Sequence, residues 1–304
     1  MSSSASYAPP TAPSSLTRLM HSAVVGKVAA GSFFFERGWV TWDTYVWLCF
    51  AGLSAGFIDS VAGGGGMITV PALMHSGLPV HLALGTNKLQ SSFGTMVAVM
   101  RYWKAGLISK EQIRHAMVWT VIAAAVGAWC VGTLGDEMLR RSVPILLITV
   151  AAYMVASPYL PSQGSSRASI VGVEPRRETD VASTARLSAK GFGLLVGGAL
   201  GFYDGFFGPG AGAFWTVAWM SLQGLDLMRA TAATKAVNLA SNVASLAVFL
   251  CVGQVRWDCA AVMVAGQLVG ARLGSGLAVK KGASLIRPMF TLVVITLAVR
   301  LLMR

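Results

Sequence analysis

The chain has 304 residues, of which 55% are apolar and only 12% are charged, and its mean hydropathy is +0.64. Soluble domains carry about 25% charged residues, so the composition excludes a soluble protein and predicts an all-α, polytopic membrane protein. Basic residues outnumber acidic ones by 24 to 12. They fall in short loops without an aromatic-studded patch, so we expect contact with a lipid bilayer and no nucleic-acid partner.

Residues 1–43 are expected to form an N-terminal extension. Positions 1–15 are rich in Ser, Pro and Ala, which predicts disorder. Positions 16–35 form a moderately apolar run interrupted by Lys27. This run leaves three alternatives open: an interfacial helix, an additional span, or a signal-like segment. The last is disfavoured because its basic region is weak and no clean cleavage site follows.

The first transmembrane repeat is expected over residues 44–157. Residues 44–62 match a ~30 Å hydrocarbon core at a rise of ~1.5 Å per residue, and the four glycines from 63 to 66 interrupt this helix. A half-helix at 67–76 follows, because this segment is too short to cross the membrane. Three crossings complete the first repeat, at about 79–102, 113–134 and 143–156.

The second repeat is expected over residues 190–304, after a polar linker at 158–189. Its first helix covers 191–207 and breaks at Gly208-Pro209-Gly210-Ala211-Gly212, and a short apolar piece continues to about 222. Asp226 is expected to cap the next helix, which runs to about 252, and crossings at about 259–279 and 285–302 follow. Both halves therefore have the same element order, and we expect about seven to nine spans in total.

The orientation of the two repeats follows from the number of crossings and from charge. An odd number of crossings in each half inverts the second repeat. Inverted repeats also place three basic connections on the cytoplasmic side, as the positive-inside rule expects: the loops at 101–114, 157–190 and 280–287. We therefore favour inverted over parallel repeats in the inner cell membrane.

A lysine follows each glycine break at nearly the same distance, since Lys88 is 29 positions after Asp59 and Lys235 is 31 positions after Asp204. Each lysine lies nine residues into its expected helix, or ~13 Å along it, where an ammonium costs at least ~2.5 kcal/mol. Snorkelling to the headgroups is the bland alternative. A buried cation that occurs twice at the same depth instead suggests that its charge is compensated, either by an anion that binds and is released or by a nearby carboxylate.

Polar side chains share a helical stripe with each lysine, and amide and hydroxyl donors beside an ammonium suit a small oxyanion. The half-helix amides around 66–68 and 212–214 are expected to be unpaired donors at the positive end of a helix dipole. Close helix packing is the simpler explanation for the glycines. The candidate substrate-binding residues are Lys88, Lys235, Asn87, Asn238, Ser91, Thr95, Asn242, Gly65, Gly66, Met67, Gly210 and Gly212.

Asp59 and Asp204 precede the two breaks and leave two roles open. Each is either a permanent partner of a lysine or a carrier of the proton that couples transport to the proton gradient. We expect no catalytic residue and no metal or other cofactor. The four cysteines lack paired spacing, and the four histidines lie near predicted span ends, so a catalytic base is missing.

The sequence closely resembles the TauE/SafE family of sulfite and organosulfonate exporters over about residues 44–304. The resemblance is carried by GFIDSVAGGGGMITVPAL at 56–73, TNK at 86–88, GFYDGFFGPG at 201–210 and ATKAVN at 233–238. It implies an all-helical inner-membrane protein that moves sulfur-containing anions, mostly outward, using the proton-motive force. The N-terminal extension departs from the usual pattern of the family.

We therefore expect a secondary transporter that exports sulfite or organosulfonates, with a small oxyanion as its substrate. Lys88, Lys235, Asn87 and Asn238 would bind this anion, and Asp59 or Asp204 would couple protons. A passive anion channel is the main alternative, because the same residues would serve it. An intramembrane enzyme is disfavoured. The sequence leaves the oligomeric state open, with a homodimer among the alternatives.

Overall fold

The computed structural model describes residues 41–135 and 187–282, together with 137–139, 141, 142, 145, 284 and 285. The regular secondary structure of the described residues is helical throughout, so the all-α prediction is confirmed for them. The helices are α1 Trp42–Ala62, α2 Gly66–His75, α3 Val80–Lys104, α4 Lys110–Thr133, α5 Ala189–Phe192, α6 Gly198–Phe206, α7 Ala211–Gln223, α8 Leu227–Cys251 and α9 Trp257–Lys281, with a π-helical turn at Gly193–Gly197 between α5 and α6.

The same element order occurs twice in the described residues. A helix ends at a glycine break, a short helix of 10 or 13 residues follows, and two long helices complete the set. The cap predicted for α8 is confirmed, because Asp226 Oδ1 accepts hydrogen bonds from the amides of Met228 at 2.9 Å and Arg229 at 3.1 Å. These bonds satisfy two of the amides that a helix start leaves unpaired.

The helix before the second break differs from the prediction in its start and in its winding. It begins at Ala189, where the Ser188 hydroxyl accepts a hydrogen bond from the Gly191 amide, and then passes through the π-helical turn. A Cβ on Gly193 would lie 2.7 Å from the His115 carbonyl carbon. The wide turn therefore lies where two backbones meet closely, a tertiary contact that helical periodicity does not reveal.

Glycines allow close packing between helices far apart in sequence. α1 packs along α9, and α6 packs along α4, while α3 and α8 lie between these pairs. A Cβ on Gly56 would lie 2.5 Å from the Gln267 carbonyl oxygen, and one on Gly205 would lie 2.0 Å from that of Ala124. Small residues bring membrane helices together in this way. Close packing thus explains several glycines that lie within helices.

Four described helices, α1, α4, α8 and α9, are long and apolar enough to cross a membrane. This makes the chain a multi-pass membrane protein. α3 has 25 residues but is less apolar because it carries the polar stripe around Lys88. Four expected segments lie almost entirely outside the described residues: the spans at 143–156 and 285–302, the linker at 158–189 and the extension at 1–43.

Candidate functional site

The two glycine breaks have a backbone conformation that other residues rarely adopt. Their φ angles are positive: 80° at Gly63, 101° at Gly64, 90° at Gly208 and 84° at Gly210. Only glycine takes up this left-handed region without strain. Close packing alone does not account for these four residues, because their backbone conformation itself requires glycine. The breaks also touch each other, since a Cβ on Gly63 would lie 3.0 Å from the Gly212 carbonyl carbon.

Both lysines are enclosed by protein. The Lys88 side chain is 2% exposed and the Lys235 side chain is 0% exposed. A snorkelling lysine extends its ammonium to the membrane surface, so the snorkelling alternative is wrong for both residues. An enclosed ammonium requires a compensating charge and hydrogen-bond acceptors.

The aspartates near the breaks supply this charge, and each pairs with the lysine of the other set of helices. Lys88 Nζ on α3 lies 2.7 Å from Asp204 Oδ1 on α6, and Lys235 Nζ on α8 lies 3.2 Å from Asp59 Oδ2 on α1. Because all four groups have low exposure, these contacts are far less screened than surface ion pairs. The pairs therefore link the two sets of helices at the breaks.

The two pairs differ in their hydrogen bonds. Lys88 Nζ donates to the Asp204 carboxylate, to the Asp204 backbone carbonyl and, at 3.2 Å, to Asn242 Oδ1. Lys235 Nζ is within ion-pair distance of Asp59 but makes no aligned hydrogen bond with any described residue. The 3.2 Å contact is therefore an electrostatic attraction, since the direction of the N–H bonds decides whether a hydrogen bond forms.

A small polar cavity of about 30 Å³ lies between the breaks. This volume holds about one or two water molecules, which is too little for an anion with several oxygen atoms around a central sulfur. The site is therefore too narrow for such an anion in this conformation, and it is closed in this sense. The cavity is lined by Asp59, Gly64, Gly66, Asn87, Lys88, Ser91, Asp204, Gly208, Gly210, Gly212, Asn238 and Asn242.

Buried threonines connect each short helix to the lysine-bearing helix that follows it. Thr69 Oγ1 on α2 donates to Asn87 Oδ1 at 2.5 Å, and Thr216 Oγ1 on α7 lies 3.2 Å from Thr234 Oγ1 on α8. Such contacts fix the short helices against the polar stripes. Thr69 and Thr216 were not among the sequence candidates. Their signal was their matched position after the two breaks.

Most of the chain matches a known protein family. Residues 48–301 match the family model described as "Sulfite exporter TauE/SafE". The chain belongs to the TauE/SafE family. It is thus a membrane transporter by family, as the resemblance at the breaks and lysines implied, and no solved structure matches it.

Curated relatives of this TauE/SafE member carry similar descriptions. A "Probable membrane transporter protein" of Haemophilus influenzae is 39% identical over 78% of this chain and 86% of its own length. "Probable membrane transporter protein YfcA" of Escherichia coli K12 is 38% identical over 84% and 88%. "Probable membrane transporter protein ORF9" of a Sinorhizobium species is 40% identical over 83% and 90%. None of these descriptions specifies a substrate.

The candidates of the sequence analysis are distributed unevenly around the cavity of this TauE/SafE protein. Gly65 lies next to the lining, and its amide donates to Asp59 Oδ1 at 3.3 Å. Lys235 is outside the lining and contacts Asp59, which is part of it. Met67 and Thr95 are buried outside the lining. The candidates that line the cavity are Asp59, Gly66, Asn87, Lys88, Ser91, Asp204, Gly210, Gly212, Asn238 and Asn242.

The expectation of unpaired amides at both short helices is wrong for most of them. The amides of Met67 and Ile68 donate to the carbonyls of Gly64 and Gly65, and those of Ala213 and Phe214 donate to the Gly210 carbonyl. Tight turns at the helix starts use these donors, as often occurs at helix ends. Among the described residues we find no acceptor for the amides of Gly66 and Gly212, and both glycines line the cavity.

Proposed function

We propose that this protein is a secondary transporter that exports small sulfur-containing anions, sulfite or organosulfonates, across the inner cell membrane with coupled proton movement. The observation that carries the proposal is the meeting of two enclosed lysine–aspartate pairs at a closed polar cavity between two interrupted helices. Ionisable groups inside a membrane protein mark ion and proton pathways. The family supports a sulfur-containing anion as the substrate.

The cavity chemistry supports a small oxyanion. Asn87, Asn238 and Ser91 provide amide and hydroxyl donors at its wall, Lys88 provides positive charge, and the Gly212 amide adds a backbone donor at the start of a helix. Donors of this kind suit sulfite and sulfonate oxygens, which accept hydrogen bonds and carry negative charge. Asp59 and Asp204 are the groups that we propose for proton coupling.

The closed cavity also supports a carrier over a passive channel. A channel requires a continuous path that the ion enters and leaves, whereas this cavity has room for only about one or two water molecules. A carrier encloses its substrate while it changes access from one side of the membrane to the other.

The repeated element order supports two inverted repeats. α1 packs on α9, the last long helix of the second set, and α6 packs on α4, the corresponding helix of the first. The two lysine–aspartate pairs cross between the sets in the same reciprocal way. Any two-fold relation between the sets would produce such exchanged contacts. An axis in the membrane plane, which transporters with broken helices commonly have, would also place the basic loops on one side of the membrane.

Transport by purified protein in liposomes tests the proposal. We expect labelled sulfite or methanesulfonate to move with an accompanying change in internal pH. Lys88→Ala and Lys235→Ala should each lower the rate by at least about tenfold, since a hydrogen bond to a charged group contributes roughly 1.5–3 kcal/mol. Lys104→Ala is the matched control, because Lys104 ends α3 and is exposed.

Two results would contradict the proposal. Unchanged transport in both lysine variants would show that the cavity beside Lys88 and Lys235 is not the transport site. Flux that follows the imposed voltage but never accumulates the anion against its gradient would favour a passive channel.

A further inference from the structure

The two lysine–aspartate pairs contain the same residue types but differ in the hydrogen bonds that their lysines make. Resting on the function proposed above, we infer that the transported anion replaces Asp59 on Lys235, while the Lys88–Asp204 pair stays formed. Asp59 takes up one proton in the same step. The inference depends on the hydrogen bonds, the exposure and the charge balance of the four groups.

Lys88 has no hydrogen-bond donor to spare. An ammonium has three N–H donors, and Lys88 directs them at the Asp204 carboxylate, the Asp204 carbonyl and Asn242 Oδ1. An incoming anion would have to break one of these buried bonds before it formed its own. Lys88 thus contributes positive charge to the cavity wall but is already satisfied.

Lys235 has unused donors and lies beside other unused polar atoms. Among the described residues, its fully buried ammonium makes no aligned hydrogen bond. The side-chain amide of Asn238, one turn further along α8, has an Oδ1 acceptor without a partner among them, and its Nδ2 is the group that can donate to an anion. A buried polar group without a partner costs roughly 1–3 kcal/mol. Asn238 also lies next to Gly212, since a Cβ on Gly212 would lie 3.1 Å from Asn238 Nδ2. Lys235, Asn238 and the Gly212 amide therefore form the unsatisfied side of the site.

Asp59 is held less tightly than Asp204. Both carboxylates line the cavity, and the Asp59 side chain is 15% exposed, against 5% for Asp204. Besides the unaligned contact with Lys235, Asp59 accepts one hydrogen bond from the Gly65 amide, at 3.3 Å. A carboxylate with longer contacts is the easier one to displace from its lysine. Asp59 is therefore the group that yields its place.

Charge balance explains why a proton accompanies the anion. Among the described residues, the charged groups around the cavity are Lys88 and Lys235 against Asp59 and Asp204, while the Tyr102 hydroxyl on α3 donates to the Ser60 carbonyl. Together these groups are neutral. A monoanion alone would leave one uncompensated charge in a low-dielectric site. One proton on Asp59 restores neutrality, so the empty site and the site with anion and proton are the two states that can close.

Joint binding of anion and proton determines the direction in which protons move during export. Anion and proton bind together, so they cross in the same direction. An inward proton-motive force then does not drive the anion out; export follows the outward gradient of the anion itself. The net reaction at the site is the exchange of one Asp59–Lys235 contact for one anion–Lys235 contact and one protonated Asp59 carboxyl group.

Binding of methanesulfonate to the purified full chain in detergent tests the inference, because this anion stays ionised from about pH 5 to about pH 8. In the wild type we expect the affinity for methanesulfonate to fall by up to about tenfold for each unit that the pH rises, because one proton binds together with the anion. Asp59→Asn, which mimics the protonated carboxyl group, should bind with no pH dependence. Asp204→Asn should keep the dependence, because Lys88 retains the Asp204 carbonyl and Asn242.

A second pair of variants keeps the charge of the site unchanged. Asn238→Ala and Ser245→Ala each remove a buried polar group from α8, but the Ser245 hydroxyl donates to the Ser241 carbonyl of its own helix and lies outside the cavity lining. We expect Asn238→Ala to weaken methanesulfonate binding by at least about fivefold, since it removes a hydrogen bond worth roughly 1 kcal/mol. We expect Ser245→Ala to change it by less than about twofold.

The inference is overturned if Asp204→Asn alone removes the pH dependence, if both aspartate variants or neither remove it, or if Ser245→Ala has a larger effect than Asn238→Ala. Nitrate, an oxyanion without sulfur, is the second probe. The inference is also overturned if the wild type binds neither methanesulfonate nor nitrate. Failure of the proposed function is distinguishable. Binding with the expected pH dependence but without flux in liposomes, or binding of nitrate only, would contradict sulfur-anion transport and leave the role of Asp59 intact.

Discussion

The two buried lysines show how differently one residue type is stabilised at matched positions. Lys88 combines a carboxylate with two neutral acceptors, whereas Lys235 has one carboxylate at 3.2 Å without an aligned bond. Removing one partner of a buried ion pair leaves an uncompensated charge, which commonly costs about 3–5 kcal/mol. The cost depends on how well water reaches the remaining partner.

We therefore predict that Lys88→Met destabilises the protein more than Lys235→Met. Lys88→Met leaves the Asp204 carboxylate only 5% exposed, and we expect a loss of about 3–5 kcal/mol. Lys235→Met leaves Asp59 at the cavity and hydrogen-bonded to Gly65, so its loss should be smaller. The measurement is thermal unfolding of the purified protein in detergent.

A double variant controls this comparison. Lys88→Met combined with Asp204→Asn removes both charges, so it should recover part of the stability that Lys88→Met loses. If Lys235→Met loses as much stability as Lys88→Met, or more, then the hydrogen bonds of Lys88 do not determine how much each lysine stabilises the protein.

At the scale of helices, glycines have two separate uses in this protein. At the breaks, positive φ angles end one helix and start the next. Within helices, missing side chains let backbones approach, as where α6 meets α4. The two uses predict different responses to a methyl group, because a β-carbon adds backbone strain in the first case and a steric clash in the second.

Two alanine substitutions in α6 test the packing role. A Cβ on Gly205 would lie 2.0 Å from the Ala124 carbonyl oxygen, while one on Gly198 would meet nothing within 4 Å. We expect Gly205→Ala to destabilise the protein by about 1–3 kcal/mol through overpacking. Gly198→Ala should be neutral or stabilise it by up to about 1 kcal/mol through helix propensity. Thermal unfolding in detergent checks both, and equal effects would refute the close α4–α6 contact.

At the scale of the whole molecule, the described helices form two sets that exchange partners. Each glycine break, each short helix and each lysine has a counterpart in the other set, and the ion pairs connect the sets reciprocally. A site shared by two similar units can open to either side of the membrane by rearranging one unit against the other. The proposed inversion of the repeats therefore has a direct topological test.

Cysteines at Gly106 and Gly253 form a matched pair for this test. Both glycines follow the lysine-bearing helices, have φ near 70° and have open space at the Cβ position. In a chain lacking its four native cysteines, inverted repeats predict that Gly106→Cys reacts with an impermeant maleimide only from the cytoplasmic side. Gly253→Cys should react only from the outside. Labelling of both from one side would establish parallel repeats.

The sequence by itself determined the helical class, the two breaks, the cap at Asp226 and the polar stripe beside each lysine. These features follow from local composition, glycine conformation and helical periodicity. Only the tertiary structure decided that both lysines are buried, that Lys88 meets Asp204, 116 positions away, that Lys235 lacks an aligned bond to any described residue, and that the cavity is too small for an anion. The helical turn at 193–197 likewise depends on a distant contact, with His115. Such features are set by which helices become neighbours, and spacing along one helix carries no information about a partner in another.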